Sequence, residues 1–93
     1  MTVTFQLAGF LRSFAGAARE VRIDVPGTTL SDALRALGER HPGVVSRVLD
    51  EQGAVRRHVN VFIGDRSIRE TGGLTTPLRD GCSISLLAAV SGG

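Results

Sequence analysis

Four segments of the chain alternate between apolar and polar residues, which is the pattern of a strand with one buried face. A further stretch, Arg66–Arg69, follows the turn signal Gly64-Asp65 and predicts a short edge strand. The apolar positions of the alternating segments are Val3, Phe5 and Leu7, then Val21, Ile23 and Val25, then Val59, Val61 and Ile63, and finally Ile84, Leu86 and Ala88.

A helix is predicted between the second and third strands. Thr29 is placed to cap its first turn with Asp32 as the partner in a capping box, and Pro42 stops the helix after about eleven residues. A short helical turn follows at residues 44–49, whereas residues 8–18 and 71–78 are predicted as loops. The apolar stripe of the helix consists of Leu30, Ala33, Leu34 and Leu37.

The order of these elements is strand, strand, helix, strand, short strand, strand, so the predicted fold class is α+β. One main helix can cover one face of a mixed sheet of four to five strands, which gives a domain of two layers. In such a layout the first and last strands commonly pair in parallel at the centre, as in the β-grasp or ubiquitin-like fold. We assign residues 1–88 to this domain and residues 89–93 to a flexible C-terminal Gly-Gly tail.

Composition narrows the possible functions. The chain has 93 residues, a net charge of +2 and 42% hydrophobic residues, enough for one core. All eleven basic residues are Arg; they are scattered among acids, and four Phe with no Trp or Tyr offer few stacking platforms, which disfavours nucleic-acid binding. No apolar run approaches the roughly 18 residues of a membrane span, and the N-terminus lacks a signal-peptide pattern. We therefore expect a cytoplasmic protein with neither nucleic-acid nor membrane partners.

The sequence offers no catalytic or metal-binding constellation. Cys82 is the only cysteine, which excludes an internal disulfide, and without a neighbouring His it is typical of a small structural residue. His41 and His58 lack metal-ligand spacing with each other and with Cys82. We therefore expect no catalytic residue, no metal and no bound cofactor in this chain.

Two apolar residues fall on the predicted open face of the sheet. Phe62 on the third strand and Leu87 on the last strand alternate with core positions, so they point away from the helix. Exposed together on central strands, they predict a patch for partner docking. The alternatives are an exposure without consequence, or cover from the loop at residues 8–18.

The two C-terminal glycines, Gly92 and Gly93, are the main chemical feature of the sequence. Gly offers no side chain to bury and loses the most entropy on ordering, so its advantage at a terminus is slimness. Six extended residues from Ala88 to Gly93 reach at most about 20 Å, far enough to place the last carboxyl carbon in another protein's active site. A frayed terminus without function is the alternative.

The closing segment, residues 78–93, resembles that of the prokaryotic ubiquitin-like sulfur carrier proteins, with Asp80-Gly81, an alternating strand and a Gly-Gly end. This family includes the molybdopterin synthase small subunit (MoaD type), the thiazole-forming carrier (ThiS type) and the cysteine-synthesis carrier (CysO type). Residues 28–34 are similar to the family's helix start. Residues 59–65 and 72–74 are most similar to the CysO-like branch.

The resemblance implies that Gly93 is the site of adenylation and of the thiocarboxylate. In this family an E1-like enzyme uses Mg-ATP to adenylate the last Gly, and a sulfur donor then displaces AMP. By the same resemblance Gly92, Ser91 and Val90 are tail contacts, and the chain is a protein co-substrate rather than an enzyme. The implied partners are the E1-like enzyme and a sulfur-accepting synthase; the need for a metalloprotease stays open.

Other hypotheses stand beside the sulfur carrier. The chain could be a ubiquitin-like modifier conjugated through Gly93, a molybdopterin synthase small subunit, or an interaction module with an inert tail. Because the chain has no Lys, Met1 carries its only primary amine, which argues against isopeptide chains built on this protein. The sulfur acceptor also stays open, with cysteine synthesis fitting the CysO-like resemblance best.

Overall fold

The structure is a computed structural model that describes residues 1–88, and the predicted tail at residues 89–93 lies outside the described residues. The strands are β1 (Thr2–Leu7), β2 (Glu20–Asp24), β3 (Val59–Ile63), β4 (Arg66–Ser67) and β5 (Ser83–Ala88). The α-helices are α1 (Leu30–Arg40), α2 (Pro42–Val48) and α3 (Ile68–Thr71), and two 3-10 helices cover Gly9–Ala15 and Gly73–Thr75.

The strands of residues 1–88 form one mixed five-stranded sheet in the order β2-β1-β5-β3-β4. Strands β1 and β5 pair in parallel at the centre, and every other neighbouring pair is antiparallel. Helix α1 packs on one face of this sheet. The predicted β-grasp arrangement is therefore confirmed, including the parallel pairing of the first and last strands.

The core lies between the sheet and α1. Phe5 and Leu86 from the two central strands, and Leu34 and Leu37 from α1, have no exposed surface. Burying an aliphatic or aromatic side chain of this size contributes roughly 1.5–3 kcal/mol. The alternating strands and the helical stripe predicted from the sequence thus bury the residues that hold the two layers together.

Helix α1 begins at the predicted capping box. The Thr29 side chain accepts a hydrogen bond from the backbone N–H of Asp32 (3.3 Å), and the Asp32 carboxylate accepts from the backbone N–H groups of Thr28 (3.0 Å) and Thr29 (3.1 Å). These hydrogen bonds, led by the one from the Thr29 backbone, lower the pKa of Asp32. Glycine is required at position 27, because a Cβ there would overlap the Asp32 carboxylate.

The segment predicted as a loop at residues 8–18 contains a 3-10 helix, Gly9–Ala15. Phe14 of this helix lies so close to Gly43 of α2 that a Cβ at position 43 would stand 3.0 Å from the Phe14 ring. The guanidinium of Arg47 lies over the same ring, 4.7 Å from its centroid. This segment therefore packs against α2. These contacts join residues far apart in the sequence, so a local hydrophobic pattern does not predict them.

The predicted edge strand at Arg66–Arg69 is shorter in the structure, where β4 covers only Arg66–Ser67. The Ser67 hydroxyl accepts a hydrogen bond from the backbone N–H of Arg69 (3.2 Å), which caps the start of α3. The resulting turn carries Ile68 into the core, where it is 5% exposed. The predicted loop at residues 71–78 likewise includes the short 3-10 helix Gly73–Thr75.

Candidate docking face and tail exit

The face of the sheet opposite α1 carries both residues predicted to dock a partner. Leu87 on β5 is 39% exposed, a high value for a large apolar side chain on a central strand. Phe62 on β3 lies opposite Ser85 of β5 and is half-buried. Both side chains therefore lie where the alternation placed them, and docking through them stays a prediction.

Phe62 and Leu87 line one groove of about 670 Å³. Ala8 and Gly9 form part of its wall, so the segment at residues 8–18 borders the groove and leaves Leu87 exposed. The charged residues of the lining are Arg12, Arg19, Glu20 and Asp65. An apolar centre with a charged border is typical of a protein-docking surface.

The Asp80-Gly81 turn sets where β5 begins. Gly81 has a φ of +83°, a left-handed conformation that favours glycine, and its backbone N–H donates to the carbonyl of Thr2 at 2.7 Å. The Asp80 carboxylate accepts a hydrogen bond from the backbone N–H of Thr2 at 2.8 Å. These contacts join the turn to the first residue of β1 and thereby fix the register of the two central strands.

That register determines where β5 ends. Ala88, its last residue, is the register partner of Val59 at the start of β3, and on the other side the carbonyl of Leu86 accepts from the backbone N–H of Ala8 at 3.2 Å. The end of β5 therefore lies between β1 and β3, beside the groove. The residues predicted to act in the tail lie outside the described residues, and their roles stay predictions: Val90, Ser91, Gly92 and Gly93.

Three arginines lie around Leu87 at this end of the sheet. Arg12 and Arg19 line the groove with Leu87, and Arg69 donates a hydrogen bond of 2.8 Å to the side-chain oxygen of Asn60, the register partner of Leu87. We refer to Arg12, Arg19 and Arg69 as the exit arginines. These three arginines are separated in the sequence, so no local pattern groups them. The one sequence signal for their position is that Arg19 directly precedes β2, which pairs antiparallel with β1.

Residues 1–88 contain no group of His, Cys, Asp and Glu side chains that could hold a metal ion. Within the same residues, no helix is both long and apolar enough to cross a membrane.

Cys82 packs half-buried against the core just before β5, at the end of the strand opposite Ala88. His41 caps α1 through its backbone N–H, which donates to the carbonyl of Leu37 at 2.8 Å.

Together, the fold and the site define a ubiquitin-like β-grasp domain whose last central strand ends beside the groove of Phe62 and Leu87. The chain belongs to the ThiS family, whose family model matches residues 5–93.

Relatives of the chain include sulfur carrier proteins and small archaeal modifier proteins. The sulfur carrier protein CysO of Mycobacterium tuberculosis (strain H37Rv) is 34% identical over 95 residues, covering all of both chains. The crystal structure of SAMP1 from Haloferax volcanii has a TM-score of 0.85 at 34% identity and covers all of both chains. The crystal structure of the Amycolatopsis orientalis BexX/CysO complex contains a chain with a TM-score of 0.84 at 31% identity, with 98% of this chain and 99% of that chain covered.

Proposed function

We propose that this protein is a sulfur carrier whose Gly93 carboxylate is adenylated by an E1-like enzyme and then converted into a thiocarboxylate. The observation that carries the proposal is the family match, which runs through the Gly-Gly end to residue 93. The 34% identity to a sulfur carrier protein over both complete chains supports the same role. In this role the chain is a protein co-substrate, and its partners perform the catalysis.

The chemistry explains why activation is needed. A C-terminal carboxyl group has a pKa near 3.5, so at neutral pH it is an anion and a poor acyl electrophile. A carboxylate oxygen attacks the α-phosphorus of Mg-ATP bound by the partner, and pyrophosphate leaves. Hydrosulfide then attacks the acyl carbon, and the C–O bond to AMP breaks. The products are AMP and a thiocarboxylate, which keeps nucleophilic sulfur tethered to the carrier.

The slim tail and the docking face have separate tasks in this proposal. Gly92 lets the backbone of the partner close around the tail, while Ser91 and Val90 contact the channel. Phe62 and Leu87 hold the folded body against the E1-like enzyme and, in the next step, against a sulfur-accepting synthase. Cysteine synthesis is the acceptor pathway we favour, because the match to a CysO sulfur carrier covers all of both chains, at 34% identity. A metalloprotease that exposes the tail or releases the product is a further partner in the proposal.

A protein modifier is the second candidate function. The small archaeal modifier protein 1 of Haloferax volcanii is 37% identical over 90 residues, which cover 96% of this chain. A modifier would use the same activated Gly93 and transfer it to an amine of a target protein. The molybdopterin synthase small subunit is a further alternative, because a putative molybdopterin converting factor shares the fold at a TM-score of 0.73 and 22% identity.

Mass spectrometry of the protein isolated from its own cells separates the two main candidates. A carrier appears at its own mass plus about 16 Da, because sulfur replaces one oxygen, whereas a persulfide would add about 32 Da. A modifier appears instead in covalent adducts of high mass that contain a target peptide. Finding only such adducts would overturn the carrier proposal.

A further inference from the structure

Within residues 1–88, no carboxylate lies within 4 Å of the exit arginines. Among residues 1–88 the ion pair between Arg56 and Glu51, at 3.9 Å, is the only one within 4 Å. Glu20 lines the groove beside Arg19, and Asp65 lines it from the turn between β3 and β4. Neither acid lies within 4 Å of an arginine, so the positive charge at the end of β5 remains available to a partner.

Arg69 is held in place without losing its charge. Its guanidinium donates to the side-chain oxygen of Asn60 at 2.8 Å and to the backbone carbonyls of Arg57 (3.3 Å) and Val59 (3.5 Å). All three acceptors are neutral, so they orient the guanidinium and leave its charge uncompensated. Arg12 likewise donates to a neutral acceptor, the carbonyl of Ala17 at 3.3 Å. A cation fixed in this way loses little side-chain entropy when an anionic group docks against it.

We propose that the exit arginines recognise carboxylates that surround the mouth of the tail channel on the activating enzyme. This inference rests on the proposed function and adds the chemistry of the partner surface. The arginines border Leu87, one residue before the strand ends, so a protein that receives the tail meets them first. An apolar contact on Leu87 would exclude water from the neighbouring ion pairs and strengthen them.

Two sources of negative charge could face the exit arginines, the phosphate of AMP and the carboxylates of the partner protein, and the length of the tail distinguishes them. The adenylate forms on Gly93, and a threaded tail from Ala88 to Gly93 spans up to about 20 Å. If the threaded tail is extended, the AMP phosphate lies at about that distance and outside direct contact with the exit arginines, so side chains of the partner protein are the anions within reach. Arg12 and Arg19 also line an apolar groove, which suits a protein surface better than a nucleic-acid backbone.

The test compares two charge reversals that change the net charge equally. Arg19→Glu alters the exit end, whereas Arg79→Glu alters an exposed residue before the opposite end of β5. The dissociation constant for the E1-like enzyme of the source organism is measured without ATP by isothermal titration calorimetry, at low and high NaCl. Arg19→Gln removes the positive charge without adding a negative one, so its charge is intermediate between those of wild type and Arg19→Glu. Melting temperatures confirm that all variants fold.

We expect Arg19→Glu to weaken binding about tenfold at 50 mM NaCl and less than about threefold at 500 mM, because salt screens exposed charges. Arg19→Gln should fall between wild type and Arg19→Glu, and Arg79→Glu should change affinity less than about twofold. Equal effects of the two reversals, or a loss for Arg19→Glu that salt does not reduce, would overturn the inference. Binding that follows this pattern without any sulfur loading in the presence of ATP would instead count against the proposed function alone.

Discussion

Asn60 lies directly opposite Leu87 in the β3–β5 ladder, and its side-chain oxygen accepts a hydrogen bond from Arg69. One register pair therefore places an exposed apolar side chain beside a fixed cation. The pair stands one residue before the end of β5 at Ala88. In the proposed function, this is the part of the folded domain that a partner enzyme contacts when it takes up the tail.

Alanine substitutions of the two neighbouring leucines on β5 should affect different properties, stability for Leu86 and partner binding for Leu87. Leu86 is fully buried, so Leu86→Ala should lower the free energy of unfolding by about 2–5 kcal/mol. Leu87 is 39% exposed, so Leu87→Ala should cost less than about 1 kcal/mol and mainly weaken binding to the E1-like enzyme. Urea denaturation and calorimetric titration measure the two effects. Similar stability losses in both variants would contradict the assignment of the two faces.

Phe62 should be needed for activation and not for folding. Phe62→Asp places a charge in the apolar centre of the groove, so we expect kcat/KM for adenylation to fall at least about tenfold. Phe62→Leu is the matched control, because it keeps an apolar side chain and should retain most of the rate. Pyrophosphate release reports the rate, and circular dichroism reports the fold. Unchanged activation kinetics for Phe62→Asp would remove Phe62 from the docking face.

Much of the fold could be predicted because its signals are local. The alternation of Val3, Phe5 and Leu7, and the capping box of Thr29 and Asp32, depend only on neighbours in sequence. The 3-10 helix Gly9–Ala15 could not be predicted in this way, since its Phe14 packs on α2.

The residues of the candidate site also fall into those that a local pattern predicts and those that only the tertiary fold brings together. The open-face positions of Phe62 and Leu87 follow from period-two alternation, which is a local property. The exit arginines come together only through strand order and through the reach of the Arg69 side chain to Asn60. Their positions along the sequence suggested scattered positive charge, because residues that are distant in the sequence become neighbours only in the folded chain.

The capping box should make stability depend on pH. The pKa of Asp32 is lower in the folded chain, so its carboxylate stabilises the fold above the ordinary Asp pKa, and this contribution is lost as pH falls through the folded value. Asp32→Asn should therefore be less stable than wild type at pH 7, and the difference should shrink at about pH 3. Urea denaturation at both pH values measures it, with Asp65→Asn as the control. A difference independent of pH would contradict the role of the carboxylate.

Cys82 should be dispensable for sulfur transfer. It packs against the core at the end of β5 away from Ala88, so its thiol is remote from the start of the tail. Cys82→Ala should gain the same mass as wild type on incubation with the E1-like enzyme, ATP and sulfide. Loss of the gain in this variant would contradict the prediction and would make the Cys82 thiol necessary for sulfur loading.

The most direct test of the carrier proposal is the intact mass of the chain after incubation with the E1-like enzyme of its source organism, Mg-ATP and sulfide. We predict a gain of about 16 Da on the wild-type chain, in contrast to the roughly 32 Da of a persulfide. A chain extended by one Trp after Gly93 should gain nothing, because the bulky residue blocks the channel and moves the carboxylate. The same gain on the untrimmed extended chain, or none on the wild type, would contradict the proposal.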